Sequence, residues 1–187
     1  MIEVLVTLII LMVGLLGLAG LQAQGLRSEM ESYQRVQALI LLQDMVERIN
    51  ANRKVAACYV TTGLTPYLGT NAAGTGIVAA PVCAAALPAT AAQQIRAQQD
   101  MDDWSNLLAG AAEKSDGTNV GAMIGARGCV SYDAFTLTYM VSVAWQGLGK
   151  TFANPTLTCG QNLYGTTAAD DDQRRVVGLP IIIATLL

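Results

Sequence analysis

Val4 to Leu21 reads VLVTLIILMVGLLGLAGL, eighteen residues without a charge. A run of that length and composition is a candidate membrane-spanning helix. Glu3 stands just before it, and no basic residue occurs until Arg27. A charge near hydrocarbon is costly, about 2.5–3.5 kcal/mol at the bilayer centre and less toward the interface. A carboxylate so placed needs a partner. The chain supplies none nearby, so the partner is expected on another molecule. A cleavable secretory signal is the competing reading. Its apolar core typically runs about 7–15 residues, and this one is longer.

The remaining sequence limits the chemistry. Among 187 residues there is no histidine. This removes Ser-His-Asp and Cys-His nucleophile systems and every His-ligated metal site. GxSxG, GxxxxGK[ST] and GxGxxG are absent. Gly117, Gly121, Gly125 and Gly128 lack the lysine of a phosphate loop. With 13% charged residues and a net charge of −3, the chain shows no basic face for nucleic acid. The run Asp170, Asp171, Asp172, followed by Arg174 and Arg175, reads as a solvated turn. No enzyme activity, cofactor or metal is expected.

The cysteines are Cys58, Cys83, Cys129 and Cys159, all beyond the apolar run and none in a CxxC pair. Zinc ligands usually come in close pairs. Two disulfides in an oxidising compartment fit better. Three pairings are open to four cysteines. The sequential one, Cys58–Cys83 and Cys129–Cys159, is favoured. Each bond would close a loop worth roughly 3 kcal/mol in the chain-entropy model. The basic residues Arg27, Arg35, Arg48, Arg53 and Lys54 would place the C-terminal part in the cytoplasm by the positive-inside rule, whereas the cysteines place it outside. The two signals agree if a basic leader precedes Met1.

After Leu21 the pattern turns from uniformly apolar to striped. Leu26, Met30, Tyr33, Val36, Leu39, Leu42, Val46 and Ile49 recur at helical steps, with Ile40, Leu41 and Met45 widening the stripe. Glu31–Arg35 and Asp44–Arg48 are acid-before-base pairs at i,i+4. No proline interrupts residues 1–65. One continuous helix over about residues 2–52 is expected, roughly 75 Å long. Gly14, Gly17 and Gly20, with Gly25 beyond, offer close helix–helix contact or flexibility.

Residues 59–90 read as a long loop and 91–113 as a helix burying Ile95, Met101, Trp104, Leu107 and Leu108. From Phe135 to Trp145 apolar and polar residues alternate strictly, which predicts a half-buried antiparallel strand. A preceding strand over Cys129–Tyr132 turns at Asp133-Ala134. Arg174–Leu187 is the last strand, with Pro180 placing it at an edge or bulge. The fold class is α+β. Its divisions are a membrane-spanning half-helix over 1–25, an amphipathic half-helix over 26–53, and a globular head over 54–187. Loops 59–90 and 151–173 would carry surface specificity.

These features together resemble the type IV pilin family. MIEVLVTLIILMVGLLGLAGLQ is similar to the N-terminus of PilV-type minor pilins. WSNLLAGAAE (104–113), GAMIGARGCVSYD (121–133) and YMVSVAWQGLGK (139–150) are also PilV-like. The resemblance implies a pilin fold and a short basic leader, removed by a membrane peptidase that methylates the new N-terminus. It implies that Glu3 meets the N-terminal amine of a neighbouring subunit, and that Cys129–Cys159 staples the edge of the sheet. Two residues would then precede Met1, and glycines stand where major pilins often carry a proline, near Gly20–Gln24. The resemblance further implies a structural role. The subunit would share in priming pilus assembly and sit in the tip complex. Other minor pilins, the major pilin and a tip adhesin would be its partners. It would reside in the inner membrane before assembly and in the pilus afterwards. A minor pseudopilin of a type II secretion system is the alternative. A membrane-anchored periplasmic binding domain or enzyme is a third reading, and the missing histidine and motifs count against it.

Overall fold

The computed structural model describes residues 2–61, 66–72, 76–83, 90–112, 114–115, 118–119, 121, 123–165 and 171–183. Met1, Glu113, Gly117, Asp170, residues 184–187 and parts of the 59–90 loop lie outside the described residues.

Helix α1 runs unbroken from Ile2 to Ala51. Nothing in its sequence ends it earlier, since it contains no proline and its glycines are isolated. A 3₁₀ segment, Arg53–Tyr59, follows. Helix α2 spans Ala91–Leu108. Thr90 starts it with a reciprocal capping box: its hydroxyl accepts from the Gln93 N–H, and the Gln93 side chain accepts from the Thr90 N–H. It stops at Leu108, and Gly110 takes φ +82° just beyond.

Strands β1 (Leu68–Thr70), β2 (Ile77–Val78), β5 (Ile124–Asp133), β6 (Thr138–Gln146) and β7 (Arg174–Ile182) form an antiparallel sheet in the order β2-β1-β5-β6-β7. Strands β3 (Lys114–Ser115) and β4 (Thr118–Asn119) pair separately. β7 lies at the sheet edge, where Pro180 is tolerated.

One face of the sheet packs on both helices. Leu42, Met45 and Ile49 of α1 meet Met101, Trp104 and Leu108 of α2 and Val130, Val141, Val143 and Trp145 of the sheet. The fit depends on Gly128. A Cβ there would stand 2.2 Å from the Trp104 ring, well inside van der Waals contact.

The other face carries a smaller core of Cys129, Ala144, Cys159 and Tyr164. Two buried arginines hold it. Arg174 donates to the carbonyls of Asn154, Leu157 and Cys159 and pairs with Asp171 at 2.8 Å. Arg127 donates to Asn71 O at 2.6 Å and lies against the rings of Tyr67 and Tyr164. Cys58 bonds to Cys83, and Cys129 to Cys159.

Several local expectations are corrected. The strand expected over 135–145 begins at Thr138. Residues 134–137 form a turn in which Asp133 accepts from the Phe135 N–H at 2.9 Å and the Thr136 hydroxyl at 3.0 Å. These bonds hold the Asp133 carboxyl below its usual range. They also leave Phe135 fully exposed and Leu137 at φ +54°. β6 is buried on both faces from Val141 to Trp145, because the arginine-held loop covers the side that alternation assigned to water. Asp171 and Asp172 are not a solvated turn. They pair with Arg174 and Lys150 and are largely buried. Ile95 is exposed, and Ala97, Asp100 and Ser105 take buried positions instead. The 59–90 region is not loop throughout, since it contributes β1 and β2.

Candidate assembly surface

The first half of α1 is not packed against any of the other described residues. Residues 2 to 30 are all exposed, and the span is long and apolar enough to cross a membrane. Glu3 lies in its first turn, where a carboxylate favours the positive end of the helix dipole. A Cβ added at Gly14, Gly17 or Gly20 would meet nothing within 4 Å. These glycines are therefore not required by packing inside the subunit, and the helix stays regular through them.

The second half of α1 has two apolar faces. Gln34, Ala38, Leu42, Met45 and Ile49 face the head and are buried. Leu26, Met30, Tyr33, Val36 and Ile40 are each at least half exposed. At 100° per residue they lie on the side away from the head. The expected single stripe is thus two. Its Leu41, Leu42, Met45, Val46 and Ile49 end meets the domain, and its Leu26-to-Ile40 part continues the exposed apolar surface of the first half.

Polar clasps fix the head on this helix. Arg175 of β7 donates to Glu31 at 3.0 Å. At the far end, Arg48 pairs with Asp44 at 2.8 Å and Asp100 at 3.1 Å. The buried Asp100 carboxylate also accepts from the Tyr59 hydroxyl at 2.6 Å and from Arg96 at 3.1 Å. Burial and then the Asp100 hydrogen bond push the Tyr59 phenol up. Burial opposes the Arg48 charge, but Asp44 and Asp100 outweigh it and raise its pKa. A polar groove of about 660 Å³ opens here, lined by Asp44, Glu47, Arg48, Asn52, Arg96 and Asp100.

Sequence reasoning found the Asp44–Arg48 pair. It missed Asp100, Arg127 and Arg174. The local signals were an acid four residues after Arg96 and an acid three residues before Arg174, since most of their other partners are remote in sequence. No group of acidic and cysteine side chains suited to a metal occurs among the described residues.

The arrangement is a long exposed apolar helix bearing a disulfide-stapled head, which is machinery for packing. A family model for type IV pilin Tt1218 matches residues 20–101. That match supports type IV pilin membership. No curated protein and no solved structure matched the chain. The matched part runs from the end of the apolar run through most of α2, so it contains the two-faced helix and the Asp100 cluster. Type IV pilins are structural rather than catalytic, and the family implies assembly with other pilins in a pilus. The exposed N-terminal helix fits membrane anchoring followed by residence in the pilus.

Proposed function

We propose that this pilin is a minor, PilV-type subunit that shares in priming pilus assembly and sits in the tip complex. The observation that carries the reading is the apolar surface of α1, exposed from Ile2 to Ile40 and backed by a rigid head. Buried against neighbouring helices, that surface supplies the cohesion of a filament core. Where the surface leaves water, burial stabilises by about 25 cal/mol per Å² of apolar area; where it leaves lipid, close van der Waals packing of helix on helix supplies the cohesion instead. Neither needs catalysis. The PilV assignment rests on the resemblance of residues 104–113, 121–133 and 139–150.

Glu3 meets the N-terminal amine of a neighbouring subunit and sets the axial register. Gly14, Gly17 and Gly20 admit close approach of adjacent helices. A membrane peptidase matures the subunit in the inner membrane. Other minor pilins, the major pilin and a tip adhesin are its partners, selected by head surfaces. The Glu3→Ala variant tests the register role. Membrane insertion is expected to persist, since removing the charge eases burial, while incorporation into pili falls. Unchanged pilus number and unchanged incorporation would refute it.

A further inference from the structure

Glu29 interrupts the apolar face of α1 that the head leaves bare. The buried residues Gln34, Ala38, Leu42, Met45 and Ile49 give the direction of the head. At 100° per residue Glu29 lies on the opposite side, about 180° from their mean. Between Val4 and Ile40 no other charged residue falls within about 60° of that direction. Leu26 and Tyr33 stand one turn below and above it, and Val36 two turns above, each at least half exposed.

Nothing among the described residues balances this charge. Glu29 is exposed and forms no ion pair or hydrogen bond with them. Gly25, Leu26, Ser32 and Tyr33 occupy the positions three and four residues away, so no base stands beside it on its own helix. In water such a carboxylate is hydrated. Covered by an apolar helix it loses that hydration, and a buried charge without a counter-charge is strongly destabilising.

Arg27 shows what would match it. It too is exposed and without a partner among the described residues. It lies two residues before Glu29 in the chain and about 160° round the helix. An acid and a base on opposite sides of one helix suit head-to-tail packing, the heterologous geometry that gives open filaments. Each helix then offers its acid to one neighbour and its base to the next. The stagger required is small. A neighbour raised by about 3 Å sets its residue 27 level with Glu29. An upward stagger of a few residues is also what brings a neighbour's N-terminus to Glu3.

We infer that Glu29 forms an ion pair with a basic side chain on the N-terminal helix of an adjacent pilin, near the level of that helix's counterpart to Arg27. This rests on the reading that the bare face of α1 packs against pilin helices in a filament. The pair adds selection to cohesion, because a neighbour that is apolar throughout would leave Glu29 buried without a counter-charge.

The test uses the full-length chain in piliated cells, with its recovery in sheared filaments measured by mass spectrometry. Glu29→Gln keeps the shape and removes the charge. Its recovery is expected to fall several-fold, and that of Glu29→Lys further, with the melting temperature of the detergent-purified protein unchanged. If an apolar helix without a base covers the face, Glu29→Gln eases burial, so equal or greater recovery would overturn the inference. A benzophenone amino acid in place of Tyr33 identifies the neighbour. Adducts are expected in the N-terminal helix of another pilin, in a peptide carrying a basic residue. Adducts to a helix with no basic residue near the site, or to a head domain alone, would overturn the inference and leave filament membership intact. Absence of the unsubstituted chain from filaments would overturn the packing reading and this inference with it.

Discussion

The indole N–H of Trp104 donates to the backbone carbonyl of Leu41 at 2.8 Å, joining α2 to the middle of α1 across 63 residues of sequence. The same ring rests on Gly128 of β5. One side chain thereby fixes the distance between both helices and the sheet.

Trp104→Phe should destabilise the protein by about 1–3 kcal/mol, because it removes the donor to the part-buried Leu41 carbonyl and leaves a gap beside the sheet. Gly128→Ala should cost at least about 1–3 kcal/mol by overpacking, since its Cβ would need the space of the ring. Urea unfolding of the full-length protein in detergent checks both. A midpoint unchanged in either variant would remove Trp104 from its place as the packing centre.

Asp100 gathers Arg48, Arg96 and Tyr59 around one buried carboxylate. Asp100→Ala leaves Arg48 and the Tyr59 hydroxyl without that acceptor, and a loss of about 2–4 kcal/mol is expected. Arg96→Ala should cost far less, within about 1 kcal/mol, because Arg96 is mostly exposed. Equal losses from the two variants, measured by thermal unfolding, would contradict the assignment of Asp100 as the hub.

Burial pushes the Tyr164 phenol up to about 12, against an opposing pull from Arg127. Its hydroxyl lies 2.7 Å from Gly125 O and 3.1 Å from Ala144 O. An unfolded tyrosine loses its proton near pH 10, whereas the folded one retains it. Below about pH 10 the two states bind the same proton and the stability is fully present. As pH rises from about 10 to 12 the unfolded state alone ionises, and stability falls by about 2–3 kcal/mol. Tyr59 and Tyr139, also pushed up by burial, act in the same direction. Urea midpoints between pH 9 and 12 should decline less steeply in Tyr164→Phe. Parallel declines would show that Tyr164 does not carry the effect.

Removing Cys129–Cys159 as the double serine variant should cost about 2–5 kcal/mol. The bond lies under the arginine-held loop, so its loss should first release residues 153–165. Proteolysis of the folded protein, mapped by mass, checks this. Cleavage unchanged in that segment would contradict it.

The long helix was legible because eighteen uncharged residues and an unbroken helical period leave few alternatives. The antiparallel sheet was legible from the alternation through Tyr139, Val141, Val143 and Trp145. The limits of both strands and stripes were not. Phe135 and Leu137 keep the alternation going by residue type, yet the Asp133 side chain captures the Phe135 N–H and the Thr136 hydroxyl and ends the strand. Periodicity alone could not separate the two apolar faces of α1, since Leu26 and Leu42 look alike until the head covers one of them. Arg127 and Arg174 were illegible for a further reason. Apart from Asp171, their hydrogen-bond acceptors are backbone carbonyls, and a carbonyl has no sequence signature. The candidate surface was read from Glu3 and the glycines at its start, but its extension to Ile40 required the fold.

The most direct test is to shear surface filaments from cells and seek this chain by mass spectrometry in the sheared fraction. Recovery at low abundance beside a major pilin, lost together with pili when the gene is deleted, is the predicted result. Absence of the chain from filaments, with all of it retained in the inner membrane, would contradict the account.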